Sequence, residues 1–229
     1  MPEFAIKDCA LSMIATGRRA QTLRELRNVI RDVHPGSIYH HFWGTLLRTQ
    51  PDREYNNDFA AWCYRSLHDG PAAERLAVID PAMYSDLEEL RQEIIEVIDE
   101  RLDETELMLF TQGDQQFYFA RSIIVVFDTH RVAADPRELL AALPQMSVGS
   151  IFYHFIDARR QEPIGKDDFQ MWLTGFGDKF APLVDAIATI DPYFESLFVI
   201  RDRLTQVFKE FVETGQAPTR FPAPRRRKR

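Results

Sequence analysis

His41 and His154 are the side chains best placed to do chemistry. Each follows a serine by four residues (Ser37, Ser150), which on a helix sets hydroxyl and imidazole on neighbouring turns of one face. Asp58 and Asp168 come later, each directly before a phenylalanine. Nucleophilic Ser–His catalysis needs an orienting acid and an oxyanion hole, and neither can be read from the sequence. Zinc asks for three or four protein ligands, whereas a His pair supplies two, so neither metal nor cofactor is expected. The sharper reading joins His41 and His154 across a pseudo-two-fold axis as a ligand or metal site, with Ser37, Ser150, Asp58 and Asp168 beside them. The plainer one makes both buried histidines, held by hydrogen bonds, that fix how helices pack. Asp58 and Asp168 read first as helix caps that accept backbone N–H groups.

These residues recur because the sequence repeats itself. Arg24–Phe42 lies over Arg137–Phe155 at a constant offset of 113. Arg24, Glu25, Leu26, Gly36, Ser37, Ile38, His41 and Phe42 find identical partners there. Eight matches in 19 positions compare with about one by chance. After a three-residue contraction, Asn57–Trp62 matches Asp167–Trp172, and Ile79-Asp80-Pro81 matches Ile190-Asp191-Pro192. Two copies of one module, fused head to tail, is the reading this supports. Tyr39 aligns with Phe152, and Cys9 and Cys63 align with Ser122 and Leu173, so neither a phenol nor a thiol belongs to the repeated chemistry.

The elements that position these groups read as helices. Leu23, Leu26, Val29 and Ile30 fall at helical spacing before a Pro-Gly breaker, after which Ser37 is a cap candidate. Asn57 or Asp58 opens a third helix carrying Phe59 and Trp62. A last helix places Leu87, Leu90, Ile94, Val97, Ile98 and Leu102 on one stripe. The β-branched run in Phe117–Asp128 could be a buried strand. Its counterpart, FAIKDCALSMIA, is helical by composition, so both are taken as helices. The expected fold is all-α: two pseudo-symmetric tandem helical repeats packed together. The first repeat spans 1–103, a linker 104–116, the second repeat 117–212 and a flexible basic tail 213–229.

Composition sets the class. A hydrophobic content of 45% with 17 Phe fills a core, which excludes whole-chain disorder. Two cysteines make no disulfide framework. No apolar run approaches the roughly 20 residues of a membrane span, and a cytoplasmic protein is expected. Six of the last ten residues are Lys or Arg, including Arg225, Arg226, Arg227, Lys228 and Arg229. Setting those six aside takes the net charge from −7 to −13 for the rest. So acidic a body is not expected to bind nucleic acid, although the tail could, and the tail is the candidate partner-binding segment for another protein.

At GSIYHHF, NDFAAW and LRQEIIEVIDERL the chain resembles a family of bacterial proteins known only as a domain of unknown function. Ser37, Ile38, Tyr39, His41, Asn57, Asp58, Phe59 and Trp62 carry the resemblance, which covers nearly all of the first copy and, more weakly, the second. The resemblance supports the fold reading and implies no activity. GSIYHHF also looks like the recognition helix of TetR-type repressors, but those place it once, followed by a different helix start, within a basic footprint. The functional expectation is a non-catalytic interaction or regulatory protein. The alternative is a small-ligand or metal-binding protein using the His41/His154 region, with a TetR-like DNA-binding protein behind it.

Overall fold

The computed structural model describes residues 2–47, 54–105, 109–161, 165–192 and 195–216. The chain begins with a long strand, β1 (Phe4–Thr22). Helices α1 (Leu23–Asp32) and α2 (Pro35–Tyr39), a π-helical turn (His40–Gly44), α3 (Asp58–Arg65), α4 (Gly70–Ala77) and α5 (Leu87–Glu104) follow. A second long strand, β2 (Gln112–Ala133), opens a matching series. It continues with α6 (Pro136–Ala142), α7 (Val148–Ile151), a π-helical turn (Phe152–Ile156), α8 (Asp168–Thr174), α9 (Ala181–Ala188) and α10 (Leu197–Thr214). Short 3-10 turns punctuate both series. No helix is long and apolar enough to cross a membrane among the described residues. The basic residues Arg225–Arg229 lie outside them.

The all-α expectation is corrected: the fold is mostly helical, but β1 and β2 form a two-stranded antiparallel sheet. In β2 the consecutive Ile123, Ile124, Val125 and Val126 are poor helix formers, because branching at Cβ restricts χ1 against the preceding turn. β1 has weaker intrinsic preference, with Ala, Leu and Met through its centre. Its partner decides its state, as strand propensity is largely a matter of cross-strand packing. β2 starts inside the segment expected to be a linker, at Gln112.

The register of the sheet is self-consistent about its midpoint. Leu11 pairs with Ile124, 113 residues further on. Moving outward, Cys9 faces Val126 while Met13 faces Ser122, and Lys7 faces Asp128 while Ala15 faces Ala120. At the ends, Phe4 faces Ala133 and Ala20 faces Phe117. Each of these pairs becomes its mate when 113 is added to one number and subtracted from the other. The pairing is therefore between the two series, not within either.

Each strand packs on helices of the other series as well as its own: β1 against α1 and α7, β2 against α2 and α6. Gly149 of α7 lies against β1, where a Cβ would overlap Asp8 Oδ1 and the Cys9 carbonyl. The core is built from helical faces turned inward, with Leu26 and Ile30 of α1 beside Ile94 and Ile98 of α5, and Ile200, Leu204 and Phe208 on α10. Each such side chain contributes about 1.5–3 kcal/mol of apolar burial. The α5 stripe includes Leu90, Ile94, Ile98 and Leu102 as its spacing requires, while Leu87 and Val97 sit at its margin and Ile95 is buried instead. The two series also meet through Tyr39, whose hydroxyl donates to Asp157 Oδ1 at 3.0 Å beneath the Arg160 guanidinium. The Tyr39 hydroxyl thus serves contact between the two series.

Candidate functional site

His41 enters from the π-helical turn after α2 and is 3% exposed. Both of its ring nitrogens are used. Nδ1 lies 2.9 Å from Asp58 Oδ2, and Nε2 accepts from the Ala120 backbone N–H at 3.3 Å. Ser37 Oγ donates to the carbonyl of the same Ala120 at 2.6 Å. Ala120 pairs with Ala15, and in an antiparallel ladder alternate residues turn N–H and C=O away from the partner strand. Ser37 and His41 therefore satisfy a strand edge that would otherwise bury unpaired groups at about 1–3 kcal/mol each. Asp58 fixes the tautomer: with Nδ1 donating to the carboxylate, Nε2 keeps its lone pair for the amide. Phe59, Phe117 and Phe119 surround the imidazole with ring centroids 4.7–5.7 Å away.

The second series repeats this geometry on the other strand. His154 Nδ1 lies 2.7 Å from Asp168 Oδ2, and its Nε2 accepts from the Lys7 N–H at 2.9 Å. Ser150 Oγ donates to the Lys7 carbonyl. Lys7 and Ala120 are 113 apart, as are Pro2 and Gln115, whose carbonyls accept from the indoles of Trp172 and Trp62. Each helical series thus holds the strand that opens the other.

The sequence-derived site residues fall into two groups instead of one. Ser37, His41 and Asp58 come together, as do Ser150, His154 and Asp168. The strand residues they hold, Ala120 (opposite Ala15) and Lys7, lie eight β1 positions apart. That is roughly 25 Å at strand rise. The serines bond to backbone carbonyls and not to imidazole, so neither hydroxyl is set up as a nucleophile. Ser37 is also not the cap expected of it: α2 starts at Pro35 and His34 Nδ1 accepts from the Gly36 N–H at its entrance. The caps of α3 and α8 are Asn57 and Asp167, one residue before the aspartates that hold the histidines.

His40 was not picked out by the sequence reading. It is buried beside His41, ring centroids 5.0 Å apart and nearly perpendicular, with Nδ1 2.7 Å from Ser122 Oγ. His40, His41 and Asp58 each offer a ligand atom, and these atoms lie within 4.8 Å of one another. The group could hold a metal ion, which favours the alternative of a metal- or ligand-binding protein at His41, with His40 and not His154 beside it. Gly44 makes room for the group, since a Cβ there would stand 2.5 Å from His40 Nδ1. At the same offset the second series has Tyr153 for His40 and Asp157 for Gly44. The adjacent His-His pair in HHF was the available signal, obscured because only one histidine of the pair is repeated. Asp58 is about one-third exposed and gives the cluster its opening to solvent.

Fold and site together define a mostly helical protein with a two-stranded antiparallel β-ribbon and a largely buried His/Asp cluster able to take a cation. The chain belongs to the family of unknown function DUF5752, whose pattern matches residues 1–209. It is similar to the solved structure of OrfY from Thermoproteus tenax, with 28% sequence identity and a TM-score of 0.74 over 91% of this chain and 94% of that one. That likeness extends the family's relationship to an archaeal protein. No curated protein matches the chain.

Proposed function

We propose that the protein is a non-catalytic, metal-binding regulatory module whose site is the His40–His41–Asp58 cluster. The observation that carries this is the convergence of two buried imidazoles and a carboxylate within 4.8 Å. Two nitrogens and one oxygen suit a late first-row divalent cation such as zinc, and three protein ligands leave one position open. The site lies at the start of α3, whose N-terminal partial charge opposes a cation by about 0.3–1 kcal/mol. Surrendering the existing hydrogen bonds costs about 1–3 kcal/mol for each group left unpaired. The commitment of both serine hydroxyls to backbone carbonyls supports a binding role over acyl-transfer chemistry.

The regulatory part of the proposal draws on the architecture, which we interpret as a fused duplication, one module over 1–103 and the other over 117–212. The β-register about Leu11 and Ile124 and the reciprocal His–strand contacts support it. Among the described residues only one module carries the cation ligands, so a cation would act on one half of a matched pair. The test is equilibrium dialysis of the metal-stripped full chain against zinc, with elemental analysis. One equivalent bound by the wild type and none by His40→Ala is the expected result. No zinc in the wild type, or undiminished zinc in His40→Ala, would overturn the proposal.

A further inference from the structure

We propose that a divalent cation loading the His40–His41–Asp58 cluster unlatches β2 from the first helical series, so that the site works as a metal-responsive latch. This rests on the metal-binding reading above and adds what binding does. The argument is one of nitrogen valence. His41 Nδ1 faces Asp58, and Nε2 accepts the Ala120 N–H. A cation shared with Asp58 takes the Nδ1 lone pair, which places the imidazole proton on Nε2. That N–H then points at the Ala120 N–H, donor against donor, and the contact breaks. A cation taking Nε2 instead displaces Ala120 directly. Neither arrangement of a neutral imidazole keeps the metal and the strand contact together.

The consequences are confined by the rest of the geometry. His40 Nδ1 is held to Ser122, two residues along β2 from Ala120, and it can keep that bond while Nε2 meets the cation, so the loss falls on the His41 contact. Ser37 on the Ala120 carbonyl, Trp62 on Gln115 and the Ser66 carbonyl on the Asp114 N–H still join this strand to the first series, and β1 still pairs with it. At the other end, His154 holds Lys7 with Tyr153 where His40 would stand, and no third ligand completes a cluster there among the described residues. The molecule thus has two matched clasps, and only one answers to metal.

Amide hydrogen exchange on the full-length protein tests this, with zinc as the probe and calorimetry on the same samples to establish binding. Saturating zinc is expected to speed exchange of the Ala120 amide at least tenfold while leaving Lys7, held by the metal-blind clasp, within twofold. His40→Ala, which retains Ser37, His41 and Asp58, is expected to lose the zinc effect at Ala120. Zinc that binds without changing Ala120 exchange overturns the latch and leaves the binding site standing. Equal acceleration at Lys7 and Ala120 overturns it too, as a general loosening, and an absence of binding overturns both readings.

Discussion

Leu11 and Ile124 face each other at the middle of the β-ribbon, and they are 113 residues apart, the same interval that separates His41 from His154. A position paired with its own counterpart is the register that the proposed duplication requires. From that point outward the His41, Ser37 and Trp62 clasps have mates, down to the indole of Trp62 on Gln115 and that of Trp172 on Pro2, while His40 on Ser122 is answered by Tyr153. The histidines hold strands, and one of them also belongs to a cation cluster.

The matched clasps predict matched costs. In metal-free protein, His41→Ala and His154→Ala each remove a buried ring and leave a strand amide and a carboxylate without their partner. Each is expected to lower stability by about 2–4 kcal/mol, equal within about 1 kcal/mol. Urea unfolding with an unchanged m-value measures it. A loss below about 0.5 kcal/mol for either would remove the strand-holding role.

Close backbone approach predicts an asymmetric response at two aligned glycines. A Cβ on Gly149 would overlap Asp8 and Cys9, whereas on Gly36 it would stand 3.2 Å from the Ser122 carbonyl. Gly149→Ala should destabilise by about 1–3 kcal/mol, at the full cost of overpacking, and Gly36→Ala by less. Thermal melts of the two variants check the order, and a reversal would contradict the packing described.

Asp167 predicts a specific pH dependence. Burial pushes its carboxyl up to about 6, against the opposing pull of the Arg159 guanidinium 3.0 Å away. A carboxyl with a folded value above its unfolded one binds an extra proton in the native state. Its stabilising contribution is therefore present below about 4 and lost as pH rises through about 6, a change of about 1–3 kcal/mol. Asp167→Asn, the residue type standing at Asn57, should remove that loss, so the stability difference between variant and wild type changes by about 1–3 kcal/mol across the window. Parallel wild-type and variant profiles from pH 4 to 7 would refute it.

The thiols should be inert in the folded protein. Cys63 is fully buried, and burial raises its pKa; the same effect pushes Cys9 up to about 12, where its Sγ donates to the Gly149 carbonyl. Little thiolate forms at neutral pH, so a disulfide reagent should react only as fast as the protein opens. Immediate labelling of either cysteine in native buffer would contradict this.

What could be read from the sequence follows the range of the interactions. The helical stripe at Leu90, Ile94, Ile98 and Leu102 is local and was legible in its spacing. β2 showed a strand signal in its β-branched run, but β1 did not: it is a strand by virtue of a partner more than a hundred residues away, and its alanines and leucines carry no local strand signal. Ser37 was legible as a polar residue of the repeat but not as a strand clasp, for the same reason. Asp58 read as a cap because it begins a helix; only the folded chain reveals that Asn57 caps and Asp58 turns to His41. His40 was hidden by the comparison that exposed His41, since searching for what repeats passes over what one half alone has.

The central claim is the cation site, and cobalt(II) tests it most directly, because its visible ligand-field bands report nitrogen and oxygen coordination in solution. Metal-stripped wild-type protein titrated with cobalt should develop those bands to saturation at one ion per chain, and His40→Ala should not. Bands absent from the wild type, or equally strong in His40→Ala, would contradict the account.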